Sequence, residues 1–381
     1  MVNSVIMYDR TIKNDMQSKL FQGRALILYG ARQTGKTTLA KQILGEASGK
    51  TLYMNCDEPD VRLALEGRSS SELRAWVGDA RFLVIDEAQR VENIGMTLKL
   101  MVDEIPDLQV LATGSSSFTL ANRIQEPLTG RKYVFHLHPL STRELLQKDG
   151  EIETRRLLRR RMVFGQYPDV AQAGEKDAAD ILRELTGSYL YQDVLMWKDI
   201  RKPDLLDRLL RALALQVGNE VSFNELAQTL GVDKATVSTY LDVLEQAFVV
   251  FRLNSFSRNL RTELRKSRKV YFWDNGIRNA LLNNLNPLEL RSDVGALWEN
   301  FLVVERIKRQ QNDRHHFQPY FWRTHRQQEI DYLEDENGKL LAAEFKWKTG
   351  QKSRAPKPFS DAYPAAEFLR VDPNNLLKFV G

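Results

Sequence analysis

Cysteine is almost absent: Cys56 is the single one in 381 residues. One thiol excludes a disulfide framework and any multi-cysteine metal site, and it suits a reducing compartment. Long apolar runs are missing too, with no stretch approaching the ~18 residues of a membrane span. The opening Met-Val-Asn-Ser-Val-Ile-Met-Tyr-Asp-Arg holds too short an apolar run for a signal peptide. A cytoplasmic chain with no membrane partner is the expectation. Charge of one sign is also lacking, since 55 Lys+Arg face 50 Asp+Glu for a formal net charge of +5. That balance permits a nucleic-acid partner without demanding one. The length suffices for two or three domains, each with its own core.

What the chain does have is concentrated in a few segments. Residues 25–38 read Ala-Leu-Ile-Leu-Tyr-Gly-Ala-Arg-Gln-Thr-Gly-Lys-Thr-Thr, an apolar strand running into Gly30-x-x-x-x-Gly35-Lys36-Thr37. This spacing is that of a phosphate-binding loop. Gly30 and Gly35 are expected to let the backbone curl with positive φ, so that successive N–H groups converge on an anion. The helix opening near Lys36 adds its positive end. The expected cradle comprises Gly30, Ala31, Arg32, Gln33, Thr34, Gly35, Lys36, Thr37 and Thr38. Lys36 would reach the β- and γ-phosphates and the Thr37 hydroxyl would hold Mg²⁺. A nucleoside triphosphate is the predicted ligand.

Fifty residues on, Arg81-Phe-Leu-Val-Ile-Asp-Glu-Ala-Gln89 reads as a buried parallel strand ending in two carboxylates. Asp86 is the candidate magnesium ligand and Glu87 the candidate general base. Thr51–Asn55, Val110–Thr113 and Tyr133–Leu137 supply further strands, with helical patterns between them, so a parallel α/β sheet is predicted. The run at Val110 ends in polar residues, which makes Ser115 or Thr113 a sensor of the γ-phosphate.

The order of phosphate loop, Asp86-Glu87 strand, polar-tipped strand and Leu128-Thr-Gly-Arg131 resembles the AAA+ branch of P-loop ATPases. The resemblance implies ATP as the nucleotide, and no guanine-reading Asn-Lys-x-Asp segment is present. It also implies an oligomer, in which Arg131, or Arg123 as runner-up, projects into the neighbouring subunit's site as an arginine finger. A helical lid would follow, in a stretch crowded by Arg155, Arg156, Arg159, Arg160 and Arg161.

Ser222-Phe-Asn-Glu225 is a capping-box pattern opening a short helix. Gly231-Val-Asp233 then makes a turn into a second helix whose Val237, Leu241 and Leu244 share one face. This is helix-turn-helix spacing, and Phe248–Leu253 with Lys269–Trp273 would form a wing. Lys234, Ser238 and Thr239 face outward. Basic residues cluster nearby, including Arg252, Arg258, Arg261, Arg265, Lys266, Arg268 and Lys269. Such charges neutralise phosphates without reading sequence. DNA contacted without base readout, branched forms included, is the expected partner.

From about residue 290 a smaller α/β unit is expected. Gly295–Glu305 reads as a helix carrying Glu299. A β-rich stretch carries Asp331, and a hairpin at Asn337-Gly338 leads to Glu344-x-Lys346. Asp331, Glu344 and the Phe345 carbonyl would bind a divalent ion, with Lys346 orienting water and Glu299 completing the site from the helix. Asp331…Glu344-x-Lys346 resembles the PD-(D/E)XK nuclease superfamily, although no proline precedes Asp331.

Over nearly its full length the chain resembles bacterial AAA+-family ATPases that join a P-loop domain to a winged helix and a nuclease-like C-terminal domain. The matching segments include residues 30–39, Val-Ile-Asp-Glu-Ala-Gln, Leu-Thr-Gly-Arg, Tyr-Phe-Trp-Asp-Asn-Gly-Ile-Arg-Asn and Glu-Ile-Asp-Tyr. The expected architecture is a P-loop core over 1–145, a lid over 146–205, a winged helix over 206–288 and a restriction-endonuclease-like domain over 289–381. The expected activity is ATP hydrolysis coupled to remodelling or translocating DNA. ATP-dependent DNA cleavage and a nucleotide-switched regulator of protein partners are the alternatives.

Overall fold

Strands buried along their whole length can only lie between two layers. The computed structural model, which describes residues 7–115, 128–189, 203–257, 268–324, 326–350 and 353–381, places three such runs inside one sheet. Ala25–Tyr29 (β1), Thr51–Asn55 (β2), Phe82–Asp86 (β3), Gln109–Gly114 (β4) and Lys132–His136 (β5) are parallel, in the order β2-β3-β4-β1-β5. β1, β3 and β4 are buried throughout, whereas the edge strands β2 and β5 are only partly covered. Successive residues serve opposite cores. Ile27, Leu83, Ile85 and Ala112 pack on one face and Leu26, Leu28, Val84 and Leu111 on the other. Truncating one of these leucines to alanine removes about 2–5 kcal/mol of stability.

Helices Ile12–Ser18 (α1), Lys36–Glu46 (α2), Pro59–Leu65 (α3), Ser70–Val77 (α4) and Ile94–Glu104 (α5) accompany this sheet. The start of α4 is set by a reciprocal capping box between Ser69 and Glu72. Together these elements form one compact unit, Asp9–Pro139 with Gln246–Phe248. Because β4 separates β1 from β3, its polar tip stands between the loop after β1 and the carboxylates that end β3.

The second unit is built from Leu140–Glu245 and Val249–Gly381, with a short N-terminal piece. It opens with helices Thr142–Arg156 (α6, broken at Gly150), Leu158–Phe164 (α7), Pro168–Gln172 (α8) and Glu175–Glu184 (α9). After Pro203–Leu215 (α10) and the short strand Glu220–Val221 (β6) come Phe223–Leu230 (α11) and Lys234–Gln246 (α12). Ser222 caps α11 by accepting the Glu225 N–H at 3.3 Å, and Gly231 turns the chain with φ 69°. Asp233 accepts the Thr236 N–H at 2.7 Å to start α12. The hairpin Val250–Ser255 (β7) and Arg268–Phe272 (β8) follows, then Asn275–Leu281 (α13) and Val294–Asn312 (α14).

Gln318–Arg323 (β9), Glu329–Glu336 (β10) and Lys339–Phe345 (β11) form an antiparallel meander turned by Asn337 and Gly338, both at positive φ. Lys357–Ala362 (α15) crosses to Glu367–Val371 (β12), and Leu376–Val380 (α16) closes the chain. All seven strands make one sheet, β12-β11-β10-β9-β7-β8-β6, joined where β7 and β9 pair in parallel. The hairpin that follows α12 and the C-terminal strands are therefore continuous.

The segment Trp273-Asp-Asn-Gly-Ile-Arg-Asn279 is a buried polar nexus rather than a surface motif. Asn275 and Asn279 donate to the carbonyls that end α7, and Asp274 caps α13 while accepting the Gln166 N–H at 2.7 Å. A Cβ on Gly276 would sit 2.0 Å from the Phe164 carbonyl oxygen, so only glycine allows this approach. Among the described residues no helix is long and apolar enough to cross a membrane.

Candidate functional site

The loop after β1 forms the cradle, though its glycines differ in purpose from the expectation. Gly35, the N-cap of α2, has φ 93°, as predicted. Gly30 does not have a positive φ; the second left-handed position is Gln33, at 58°. Gly30 is required instead by space, because a Cβ there would lie 2.2 Å from the Leu137 carbonyl oxygen. The buried Lys36 Nζ lies on the Gly30 and Ala31 carbonyls at 3.0 and 2.8 Å, and the Thr34 hydroxyl donates to Ala31 O at 2.8 Å. Arg32 and Gln33 are half-buried, and Thr38 is exposed on α2.

Asp86 gathers three hydroxyls. Thr37 and Tyr53 donate to its Oδ2 at 2.7 Å each, and Thr113 donates to its Oδ1. Burial and the neighbouring carboxylate push the Tyr53 pKa up, so its phenol remains a donor. A carboxylate and a hydroxyl meeting this closely offer the hard oxygens that Mg²⁺ prefers, and the residues present fit that ion. Glu87 takes a left-handed backbone, φ 53°. Its N–H donates to Thr113 Oγ1 at 3.1 Å, and its Oε2 accepts the Gln89 side-chain amide at 2.5 Å. The same Gln89 Nε2 lies 3.2 Å from Ser115 Oγ. Thr113 is thus tied to the Asp86 carboxylate and to the Glu87 backbone, and Ser115 reaches the Glu87 carboxylate through Gln89.

Three residues of this site escaped the sequence reading. Arg10 donates to the Thr34 and His138 carbonyls, both at 2.6 Å, which braces the loop from behind. A lone arginine ahead of a helix carries no signal of that role. Tyr53 carried no local signal either, since it reaches Asp86 only because β2 and β3 are parallel neighbours, with Asn55 beside Asp86. Gln89 stood inside the quoted motif without an assigned task. Arg131 pairs with Asp103 at 2.6 Å on the surface, and Arg123 lies outside the described residues.

Around the helix-turn-helix, Lys234 and Thr239 are exposed, Ser238 is half-buried, and Val237, Leu241 and Leu244 are buried as predicted. The basic cluster is less available than its count suggested. Arg252 is neutralised by Asp242 and Glu245, and Lys269 is fully buried. Arg258, Arg261, Arg265 and Lys266 lie outside the described residues. The five arginines of the expected lid are also engaged. Arg155, Arg156, Arg159 and Arg161 form ion pairs, and Arg160 donates to the Val170 and Ala173 carbonyls.

In the C-terminal strands, Glu299, Glu329 and Asp331 place carboxylate oxygens within 4.8 Å of one another. Glu329 was not anticipated, and Glu344 is outside this group. Glu344 pairs with Lys346 at 2.8 Å and accepts the Ser353 hydroxyl. The register between β9 and β10 shifts between Ile330 and Leu333, an irregularity that re-aims side chains. Phe345 meets Asp331 through its N–H, 2.7 Å from Oδ2, rather than offering its carbonyl beside it. Burial, with Glu299 next, pushes the Asp331 pKa up to about 7. Lys269 Nζ donates to Glu299 Oε1 at 2.8 Å and also to Glu329. An ammonium bound to two of the three carboxylates leaves a donor set that does not fit a divalent ion.

Comparison with known proteins agrees with the first unit's geometry. Residues 22–146 match the family model of an AAA domain. The parallel sheet and glycine loop thus belong to an AAA-type P-loop domain. Residues 155–288 and 294–378 match two models that are each described as a domain of unknown function, DUF8612 and DUF4143. The chain is similar to an uncharacterized protein of Mycobacterium tuberculosis, 28% identical over 349 residues, covering 91% of this chain and 75% of that one. An uncharacterized protein of Methanocaldococcus jannaschii is 24% identical over 388 residues, covering 96% and 84%. Among solved structures, a Walker-type ATPase of Pyrococcus abyssi superposes with a TM-score of 0.49 at 15% identity, covering 72% of this chain and 96% of that one.

Proposed function

We propose that the chain is a Mg²⁺-dependent ATPase that acts as an oligomer to remodel or translocate DNA. The observation that carries the ATPase reading is the convergence of Thr37, Tyr53 and Thr113 on Asp86, beside a Glu87 held by its own neighbour Gln89. Lys36 and the loop N–H groups would hold the β- and γ-phosphates. Thr37 and Asp86 would hold Mg²⁺, whose charge offsets that of the phosphate oxygens. Glu87 would accept the proton of the attacking water. Gln89 would keep that carboxylate aimed, with Ser115 behind Gln89 and Thr113 holding the Glu87 backbone from the tip of β4. Arg131 would act on the site of an adjacent subunit.

The DNA reading rests on the helix-turn-helix with its exposed Lys234 and Thr239, and on the basic sequence of residues 258–266. The winged-helix reading of 206–288 is supported by the β7–β8 pair that comes after those two helices in the chain. Steady-state ATP hydrolysis, with and without single-stranded, duplex and four-way-junction DNA at two salt concentrations, tests both parts. Stimulation by one form that fades at high salt is expected, because phosphate contacts release counterions. Turnover indifferent to every DNA would leave the ATPase and remove the motor, favouring a switch that holds protein partners. Lys36→Ala should lose nucleotide binding, while Glu87→Gln should retain ATP without hydrolysing it. Brisk turnover by Glu87→Gln would exclude Glu87 as the base.

A further inference from the structure

A fully buried ammonium persists only against opposite charge, and the surroundings of Lys269 supply it from two elements. Glu299 arrives from α14 and Glu329 from β10, both within hydrogen-bond reach of Nζ. Tyr271, two residues along β8 from Lys269 and on the same face, donates to Glu299 Oε1 at 2.7 Å. Arg323 lies 3.3 Å from the other oxygen of Glu329. Carboxylates this close repel one another unless one of them takes a proton or a cation stands among them. A divalent ion is the usual answer for a set of hard oxygens at such spacing. Here the chain provides the cation itself.

We infer that Lys269 holds the place of a divalent cation, so that Glu299, Glu329 and Asp331 form a metal-independent joint and not a cleavage centre. Both contacts are made by a fully buried side chain, so the ammonium has its counter-charges from the protein and not from water. Space points the same way. A Cβ on Gly218, at φ +78°, would stand 3.1 Å from Glu299 Oε2, so main chain closes that side of the carboxylate. Glu344, the further carboxylate a metal centre would draw on, is turned to Lys346 and Ser353. The joint ties β8, which belongs to the hairpin beside the helix-turn-helix, to the helix and strand that carry Glu299 and Glu329. Its work is to fix one part of the continuous sheet against another.

The test is Mn²⁺ binding to the nucleotide-free full chain, followed by electron paramagnetic resonance. The four proteins are wild type, Glu299→Gln, Lys269→Met and the double variant. Thr37 and Asp86 are common to all four, so differences report the C-terminal group. Wild type and Glu299→Gln should bind alike. Lys269→Met should gain a site about tenfold tighter, on the scale by which neighbouring groups move metal affinity. Adding Glu299→Gln should abolish that gain. Wild-type binding that Glu299→Gln weakens tenfold would overturn the inference, as would a folded Lys269→Met, checked by circular dichroism, that gains no site. Should Lys269→Met not fold, the wild-type and Glu299→Gln pair decides alone. None of these outcomes bears on the ATPase reading, which concerns other residues.

Discussion

Asp86 and Glu87 are adjacent in the chain yet differ in what holds them. Asp86 is fixed by hydroxyls from the start of α2, from β2 and from β4, whereas Glu87 leans on Gln89 two residues away. A base that must accept a proton from water works only if its carboxylate is aimed. Gln89→Leu should therefore lower kcat by roughly 10- to 100-fold, the scale of a misplaced reacting group, with little change in KM. Stopped-time phosphate release across ATP concentrations separates the two constants. A rise in KM at unchanged kcat would mean that Gln89 shapes nucleotide binding instead. At this scale the P-loop residues were legible from spacing. Arg10 was not, since its partners at Thr34 and His138 are brought to it only by folding.

Among the elements, the junction of α7, α13 and α14 shows what a buried polar segment demands. Asp274 accepts N–H groups from Gln166, Gly276 and Ile277, but burial outweighs them and raises its pKa from 3.8 to about 6. The folded state thus favours the neutral carboxyl. Its contribution to stability is full below the ordinary value of 3.8 and is lost as pH rises to about 6. The amount at stake is on the order of 3 kcal/mol. Asp274→Asn should flatten that dependence. Urea unfolding of both proteins at pH 4 and pH 7 gives the measurement, and wild-type and variant stabilities that shift in parallel would refute the assignment. The helices and strands themselves were largely readable. Capping at Ser222, the turn at Gly231 and the Asn337-Gly338 hairpin are all local, and each stands where its pattern put it.

At the scale of the whole molecule, the proposed oligomer makes a prediction about what one copy contributes to another. Arg131 is bound to Asp103 of its own chain, at a surface position. An exposed pair of this kind adds about 0–1 kcal/mol, so it is easily exchanged for a phosphate. If Arg131 serves a neighbour's site, Arg131→Ala and Glu87→Gln should each be nearly inactive alone. Mixed, they should recover a measurable part of wild-type hydrolysis, because some sites then pair an intact base with an intact finger. A mixture no more active than its components would place Arg131 outside the reaction.

Contiguous residues sufficed to specify the phosphate loop, the buried parallel strands and the two helices on either side of Gly231, because backbone geometry and amphipathic period are local properties. Which groups then meet was settled only in three dimensions. Gly30 answers to the Leu137 carbonyl, far along the chain. Glu329 takes the place expected of Glu344 where the register of β10 shifts, and Lys269, counted as a surface charge, is buried between two carboxylates from separate elements. Charge partners are chosen by strand order and register, and those follow from how the whole sheet buries its faces rather than from any one stretch of residues.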